Sequence, residues 1–311
     1  MEDPASAEDL VPDRCFEQVL HGGRFHVGAF GSVIVAVLAG IENAGKSLEG
    51  GVGDLGEDGG LPAGLVPQDL QVERVEHDGA GYYYGQARAA AHEADDDTMC
   101  AMVLANWSQL ATWAGDPRLG VEHALGAVAW GQRAGSRILV SYGCDVGARA
   151  YAAVVRRSAR GERRADHGQP MHSLEQAYHE LDQAPDSDPG TGLAYFYDQG
   201  QYLATRTWCL LELGDPHRAL ATASQSLASA DPAFVRNVAL TRLALAGAYA
   251  QMGEPGNACE QITQAADLAG RNNSPRLIRV LTGSRQQLSP WDTSPDVASL
   301  DERLRTLGLT A

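Results

Sequence analysis

The chain has 311 residues, enough for one large domain or two small ones, and it carries 24 basic and 40 acidic residues for a formal net charge of −16. This acidity argues against nucleic-acid binding by the chain itself, because phosphate contacts need a positive surface, and also against a membrane-surface role. The five cysteines lie far apart without a C-x-x-C, so no disulfide framework is expected. A reducing cytoplasm is the simplest compartment.

The first quarter of the chain is rich in glycine. Of the 35 glycines, 15 fall within the first 81 residues, and 48–64 reads LEGGVGDLGEDGGLPAG. Glycine at this density loses too much backbone entropy on folding to favour a helix or strand. We predict that 1–78 is largely disordered, with a short strand at 33–39. Because the composition changes abruptly near residue 80, a wrong start or a shifted reading frame is an alternative explanation of this segment.

One motif in this segment matches a phosphate-binding loop. Residues 40–47 read G-x-x-x-x-G-K-S and follow an apolar run, so Gly40, Gly45, Lys46 and Ser47 have the spacing that holds phosphates and Mg²⁺. Such a loop needs a helix directly after the serine, whereas four more glycines follow here within ten residues. A nucleotide-dependent signalling ATPase or GTPase is therefore the alternative function, and a chance match in a glycine-rich segment is the simpler explanation.

Beyond residue 79 the chain changes to Ala- and Leu-rich segments separated by short turns. The spacing of apolar residues predicts helices over 80–94, 98–114, 117–134, 136–159, 170–184, 191–213, 216–230, 232–252, 255–269, 275–288 and 296–307. We assign 79–290 to helical repeats and 291–311 to a C-terminal capping helix and tail.

Several turns share one pattern. Gly-acid-Pro occurs at 115–117, 214–216 and 253–255, with a looser copy at 161–165, and the last two clear copies lie 39 residues apart. The glycine is expected to end one helix in the left-handed conformation, the acid to cap the next helix and the proline to open it. A small residue follows five positions after each glycine (Gly120, Ala219 and Ala258), where two helices can cross closely. A period of this length built from two helices is typical of an α-solenoid.

The copy around Gly253 also carries Ala246, Tyr249, Ala258 and Ala265, the small and aromatic positions of a tetratricopeptide repeat. The chain therefore resembles tetratricopeptide-repeat proteins. The resemblance implies an all-α fold, a right-handed superhelix of helix pairs preceded by the glycine-rich segment.

A narrower resemblance is carried by Tyr82–Ala94, Tyr195–Ala219 and Val235–Cys259. These stretches look like the sensor region of regulators from high-GC bacteria that place an XRE-type helix-turn-helix before tetratricopeptide repeats. The resemblance implies a non-catalytic module that senses a ligand or peptide. Residues 1–78 contain no basic helix-turn-helix, so no DNA-contacting residue is transferred and no cofactor is expected.

In tetratricopeptide arrays the first helix of each pair lines a concave groove. Two stripes at helical spacing, each with a tryptophan and polar neighbours, predict such a groove for a protein, an extended peptide or a small molecule. The predicted groove residues are Gln109, Thr112, Trp113, Gln201, Trp208 and Glu212. The alternative is that both tryptophans belong to the core.

Other candidate sites are weaker. Five arginines near the looser turn form a possible anion patch, or else a solvated loop: Arg156, Arg157, Arg160, Arg163 and Arg164. His172, Glu175 and His179 share a helix face but span two turns without a fourth ligand, so no metal site is expected. No Ser/His/Asp or Cys/His arrangement is present, which predicts a non-enzyme, and homodimer formation stays open.

Overall fold

A computed structural model of the chain describes residues 68–158, 168–230, 235–269 and 275–309. Within these residues the chain forms eleven α-helices and no β-strand, which confirms the all-α class for this part of the protein. The helices are α1 (Gln68–Glu93), α2 (Asp97–Trp113), α3 (Pro117–Arg133), α4 (Arg137–Ser158), α5 (Gly168–Asp182), α6 (Gln199–Glu212), α7 (Pro216–Ser229), α8 (Val235–Gln251), α9 (Pro255–Ala269), α10 (Pro275–Gln286) and α11 (Pro295–Thr306). The phosphate-loop motif, the strand at 33–39 and the looser turn at 161–165 lie outside the described residues.

The glycines of the three Gly-acid-Pro turns take the predicted conformation, and two of the three acids form the predicted cap, whereas Glu254 accepts from the side chain of Asn257. Gly115, Gly214 and Gly253 have φ values of 90°, 77° and 77°, the left-handed region that glycine adopts without a Cβ penalty. Asp116 then caps α3 by accepting a hydrogen bond from the Leu119 amide at 3.1 Å, and Asp215 caps α7 in the same way. A further turn with a left-handed glycine, between α3 and α4, has no proline and was not recognised in the sequence.

Two helices begin far from their predicted starts. Helix α1 starts at Gln68, well before residue 80. The predicted helix 191–213 was too long at its start, because α6 begins at Gln199. Asp198 fixes this start by accepting a hydrogen bond from the Gln201 amide at 2.8 Å. Residues 183–198 instead form a long connection rich in turns.

Helix packing follows a regular scheme. From α1 to α9, each helix contacts the helix that follows it, and the even-numbered helices from α2 to α10 also contact one another in chain order. In this scheme, helix α4 packs between α2 and α6 and against α3 and α5. The close approach of neighbouring helices depends on small residues: a Cβ at Gly131 would lie 2.9 Å from the Val140 nitrogen, and Ala219 and Ala258 are fully buried.

Helix α4 is the one described helix with the length and hydropathy of a membrane span. The hydropathy of its apolar window is 1.3, and 72% of that window is buried inside the protein. The core helix of a soluble protein has the same properties, so the finding is compatible with a soluble protein.

Candidate functional site

One of the predicted groove residues of α2, Gln109, contacts the neighbouring even-numbered helix. The side-chain amide of Gln109 donates to the Tyr142 hydroxyl on α4, and that hydroxyl donates to Asn106 Oδ1 at 2.9 Å. Trp113, at the end of α2, is 44% exposed and so does not belong to the core. Gln109 thus lies at the contact between α2 and α4, whereas Trp113 lies at the end of α2.

Thr112 has a different environment from its predicted partners. Its hydroxyl donates to the Ser108 carbonyl at 2.8 Å, one turn earlier on the same helix. It also lies directly against Gly120 of α3, leaving no room there for a Cβ. Thr112 therefore packs at the crossing of α2 and α3.

Two of the predicted groove residues of α6, Trp208 and Glu212, contact α4. Trp208 is half-buried, packs against the cluster that contains Leu210 and Ala244, and has the Arg149 guanidinium 5.8 Å from its ring centroid. This distance permits a cation–π interaction. Glu212 forms an ion pair with Arg156 at 2.6 Å. Trp208 is thus partly core and partly surface, an outcome between the two interpretations of the sequence.

The two predicted stripes are joined by α4, which supplies a partner to each of them. We call these side chains, together with Trp113 and Gln201 of the two stripes, the even-helix surface: Gln109, Trp113, Tyr142, Arg149, Arg156, Gln201, Trp208 and Glu212. Gln201 lies in a recess of about 30 Å³ that Phe196, Asn237 and Thr241 also line. Gln201 therefore extends the line of polar groups from α6 to α8.

The predicted anion patch is divided in the described part of the chain. Arg156 is engaged by Glu212 of α6, whereas Arg157 lies against the turn after α2, with Nη2 3.1 Å from where a Cβ of Gly115 would be. The two guanidinium groups thus contact different parts of the fold, α6 and the turn after α2. Arg160, Arg163 and Arg164 lie outside the described residues.

The sequence did not reveal the connection 183–198, which packs against the even-helix surface. Its Asp188 is buried and accepts hydrogen bonds from Ser136 Oγ at 2.5 Å, from the Arg137 amide at 2.7 Å and from the Gly190 amide at 2.8 Å. It therefore caps α4 from outside that helix. Further along, Phe196 and Tyr197 place their rings 5.4 Å and 5.2 Å from that of Tyr142. The connection thus covers one side of Tyr142.

A buried carboxyl group lies at the centre of this region. Asp145 of α4 is 2% exposed, and its Oδ2 accepts a hydrogen bond from Thr205 Oγ1 at 2.8 Å. Burial raises the pKa of Asp145 to about 7, although the Thr205 hydrogen bond, the Arg149 charge and a hydrogen bond with Tyr197 lower it. One turn earlier, the Ser141 hydroxyl lies 3.0 Å from that of Tyr197. Ser141 and Asp145, two polar residues four positions apart in the mostly apolar first half of α4, were the available signal in the sequence.

The remaining candidates show no assembled site in the described part of the chain. His172, Glu175 and His179 are all exposed on α5, and the described residues contain no group of three side chains positioned to bind a metal ion. Cys209 is buried, and burial raises the pKa of its thiol well above the ordinary range. Gly40, Gly45, Lys46 and Ser47 lie outside the described residues.

Comparison with known proteins gives no further guide: no protein-family model matches the chain, and a search of curated proteins finds no match.

Proposed function

We propose that the protein is a non-catalytic, tetratricopeptide-like binding scaffold. The observation that carries the proposal is the contact of each even-numbered helix with the next, from α2 to α10, in addition to its contact with the helix that follows it. Stacked helix pairs make contacts of this kind, because the first helix of each pair lies against the first helix of the next. The repeated turns with left-handed glycines support the same arrangement. A right-handed superhelix is the form that we expect the array to take.

The even-helix surface is the binding surface in this proposal. It offers an exposed indole at Trp113, a cation–aromatic pair at Arg149 and Trp208, and side-chain amides at Gln109 and Gln201. Amide groups can pair with the backbone of an extended peptide, and aromatic rings can accept its apolar side chains. An extended peptide segment is therefore the occupant that this chemistry favours.

The resemblance to regulators suggests the biological setting. In this proposal the protein acts in the cytoplasm as the sensor part of a transcriptional regulator, and contact with DNA is made by a separate protein or domain. The net charge of −16 supports the separation, because an acidic chain is repelled by nucleic acid.

Peptide selection tests the binding surface. Immobilised full-length protein is panned against a random peptide library, and the affinities of the enriched peptides are measured for Trp113→Ala and for the control Leu125→Ala. Leu125 is also an exposed apolar residue, 58% exposed on α3, but lies outside the even-helix surface. We expect Trp113→Ala to weaken binding by about tenfold, the loss typical of a central aromatic contact, and Leu125→Ala to have no effect. Equal affinities for the two variants would refute the assignment of the surface.

A further inference from the structure

A second recess, outside the even-helix surface, lies where α5, α6 and α7 meet. It has a volume of about 470 Å³, within the range of small-molecule sites, which is roughly 300–1,000 Å³. Its polar and aromatic lining comes from Glu175 and Tyr178 of α5, Gln199, Tyr202 and Arg206 of α6, and Gln225 of α7. The recess is open to solvent, so a ligand can enter it without a change of fold.

Arg206 is the first feature that points to a ligand. Seven other arginines of the described residues form ion pairs: Arg133, Arg137, Arg156, Arg218, Arg285, Arg303 and Arg305. Arg206 has no ion-pair partner among those residues, and its buried Nε has no hydrogen-bond acceptor there. Its guanidinium interacts with the Tyr202 hydroxyl, which leaves donors available. A carboxylate is the natural acceptor for the donors of a guanidinium group.

Glu175 is the second feature. Its exposed carboxylate lines the same recess as Arg206, yet the two side chains form no ion pair with each other. A negative and a positive group that face one cavity without touching can bind the two charges of a zwitterion. A zwitterion is also the ligand best suited to this chain, because a net charge of −16 repels a simple anion at a distance.

The aromatic wall is the third feature. The rings of Tyr178 and Tyr202 lie 5.5 Å apart, and Tyr202 is almost fully buried behind Tyr178. Tyr178 remains 45% exposed. Tyr178 therefore has ring surface left against which a third, planar group can pack, and aromatic packing of this kind is favourable beyond the area it buries.

We propose that this recess binds a free aromatic α-amino acid, whose carboxylate contacts Arg206, whose ammonium group contacts Glu175 and whose ring packs on Tyr178. The site lies on the α5–α7 side of α6 and is independent of the peptide surface proposed above. Failure of either proposal leaves the other intact, because the two sites share no residue.

Isothermal titration calorimetry of the full chain with L-phenylalanine tests the proposal. We expect saturable binding that becomes about tenfold weaker in Glu175→Gln and in Arg206→Gln, the loss typical of one charge-assisted hydrogen bond. Gln176→Ala, which changes the next exposed residue of α5 outside the recess, is the matched control and should bind as the unmodified chain does. Arg206→Lys is a second arginine variant, which keeps the positive charge. Circular dichroism spectra show whether both arginine variants remain folded.

Two further ligands test the contributions of the ammonium and carboxylate groups one at a time. 3-Phenylpropionate lacks the ammonium group and 2-phenylethylamine lacks the carboxylate, so each should bind at least about tenfold more weakly than L-phenylalanine. Equal binding of 3-phenylpropionate, an unchanged affinity in Glu175→Gln, or no measurable heat at millimolar L-phenylalanine would each overturn the proposal.

Discussion

The region around α4 and the region from α8 to α11 bury their interiors in different ways. The second has an apolar core in which Leu243, Ile262, Leu277 and Leu281 are almost completely buried. The first also buries polar groups, among them Ser141, Asp145, Asp188 and Thr205. The α8–α11 region buries the Thr241 and Ser284 hydroxyls too, but each donates to a carbonyl four residues earlier on its own helix. One fold thus combines a core of apolar packing and local hydrogen bonds with a core that depends on hydrogen bonds between distant residues.

In the α4 region, the buried hydrogen bonds join residues that lie far apart in the sequence. The Thr205 hydroxyl bonds a carboxylate 60 residues earlier, and the Ser136 hydroxyl bonds one 52 residues later. A buried polar group costs free energy unless its partner is in place. The α4 region therefore tolerates fewer arrangements than an apolar core, and it is also the region that supplies the even-helix surface with its central helix.

The largest effect is expected from a cavity in the apolar core. Leu281→Ala should lower the free energy of unfolding by about 4 kcal/mol, because Leu281 is fully buried and truncation leaves a cavity. Urea denaturation followed by circular dichroism measures this change. Leu125→Ala, at an exposed position, should change stability by less than about 0.5 kcal/mol. Similar small losses for both variants would show that the α8–α11 core is loosely packed.

A second prediction concerns the buried carboxyl group of the α4 region. The pKa of Asp145 is raised from 3.8 to about 7 in the folded protein, so between these values the unfolded chain has released a proton that the folded chain keeps. The contribution of Asp145 to stability is therefore full at low pH and is lost as the pH rises towards 7. Its size is on the order of 4 kcal/mol, because the pKa is raised by roughly three units and one unit corresponds to about 1.4 kcal/mol.

Asp145→Asn isolates this contribution, because asparagine does not titrate. The free energy of unfolding of the unmodified chain, relative to that of the variant, should fall between about pH 4 and pH 7 and stay level above. Urea denaturation at a series of pH values provides the measurement. A constant difference between the two proteins would mean that Asp145 titrates normally and is accessible to water.

A smaller difference in stability is expected between loss of a buried helix cap and loss of an exposed one. Asp188→Ala should cost about 2 kcal/mol, because it leaves the buried Ser136 hydroxyl and the first amides of α4 without an acceptor. Asp116→Ala removes an exposed cap of α3, where water can replace the carboxylate, and should cost about 1 kcal/mol. Thermal unfolding of both variants under one condition gives the ranking. The reverse order would place the 183–198 connection outside the cooperative fold.

Much of the fold was predictable from the sequence because its signals are local. The starts of α3, α7 and α9 followed from a glycine, an acidic residue and a proline in succession, and α11 begins within a residue of its predicted start. The predicted start of α6 was wrong because the apolar spacing continued through residues 191–198. In the structure, Asp198 caps the helix and Asp188 accepts hydrogen bonds in the preceding turns.

The candidate sites were less predictable because their partners lie far apart in the chain. Trp113 and Trp208 were selected by the same pattern, yet one is exposed and the other is half-buried. The difference arises from Arg149 and from the cluster around Leu210, which no local pattern connects with Trp208. The recess at Arg206 combines residues of three helices, so its lining appears only once those helices are packed.

The proposed function depends on the binding of a partner at the even-helix surface. We would examine this binding by site-specific photo-crosslinking in living cells, with the photoreactive residue placed at Trp113 or Gln201 and, as a control, at Glu260 on the exposed side of α9. We expect one crosslinked product shared by positions 113 and 201 and absent at position 260. A product of equal yield at all three positions, or at position 260 alone, would contradict it.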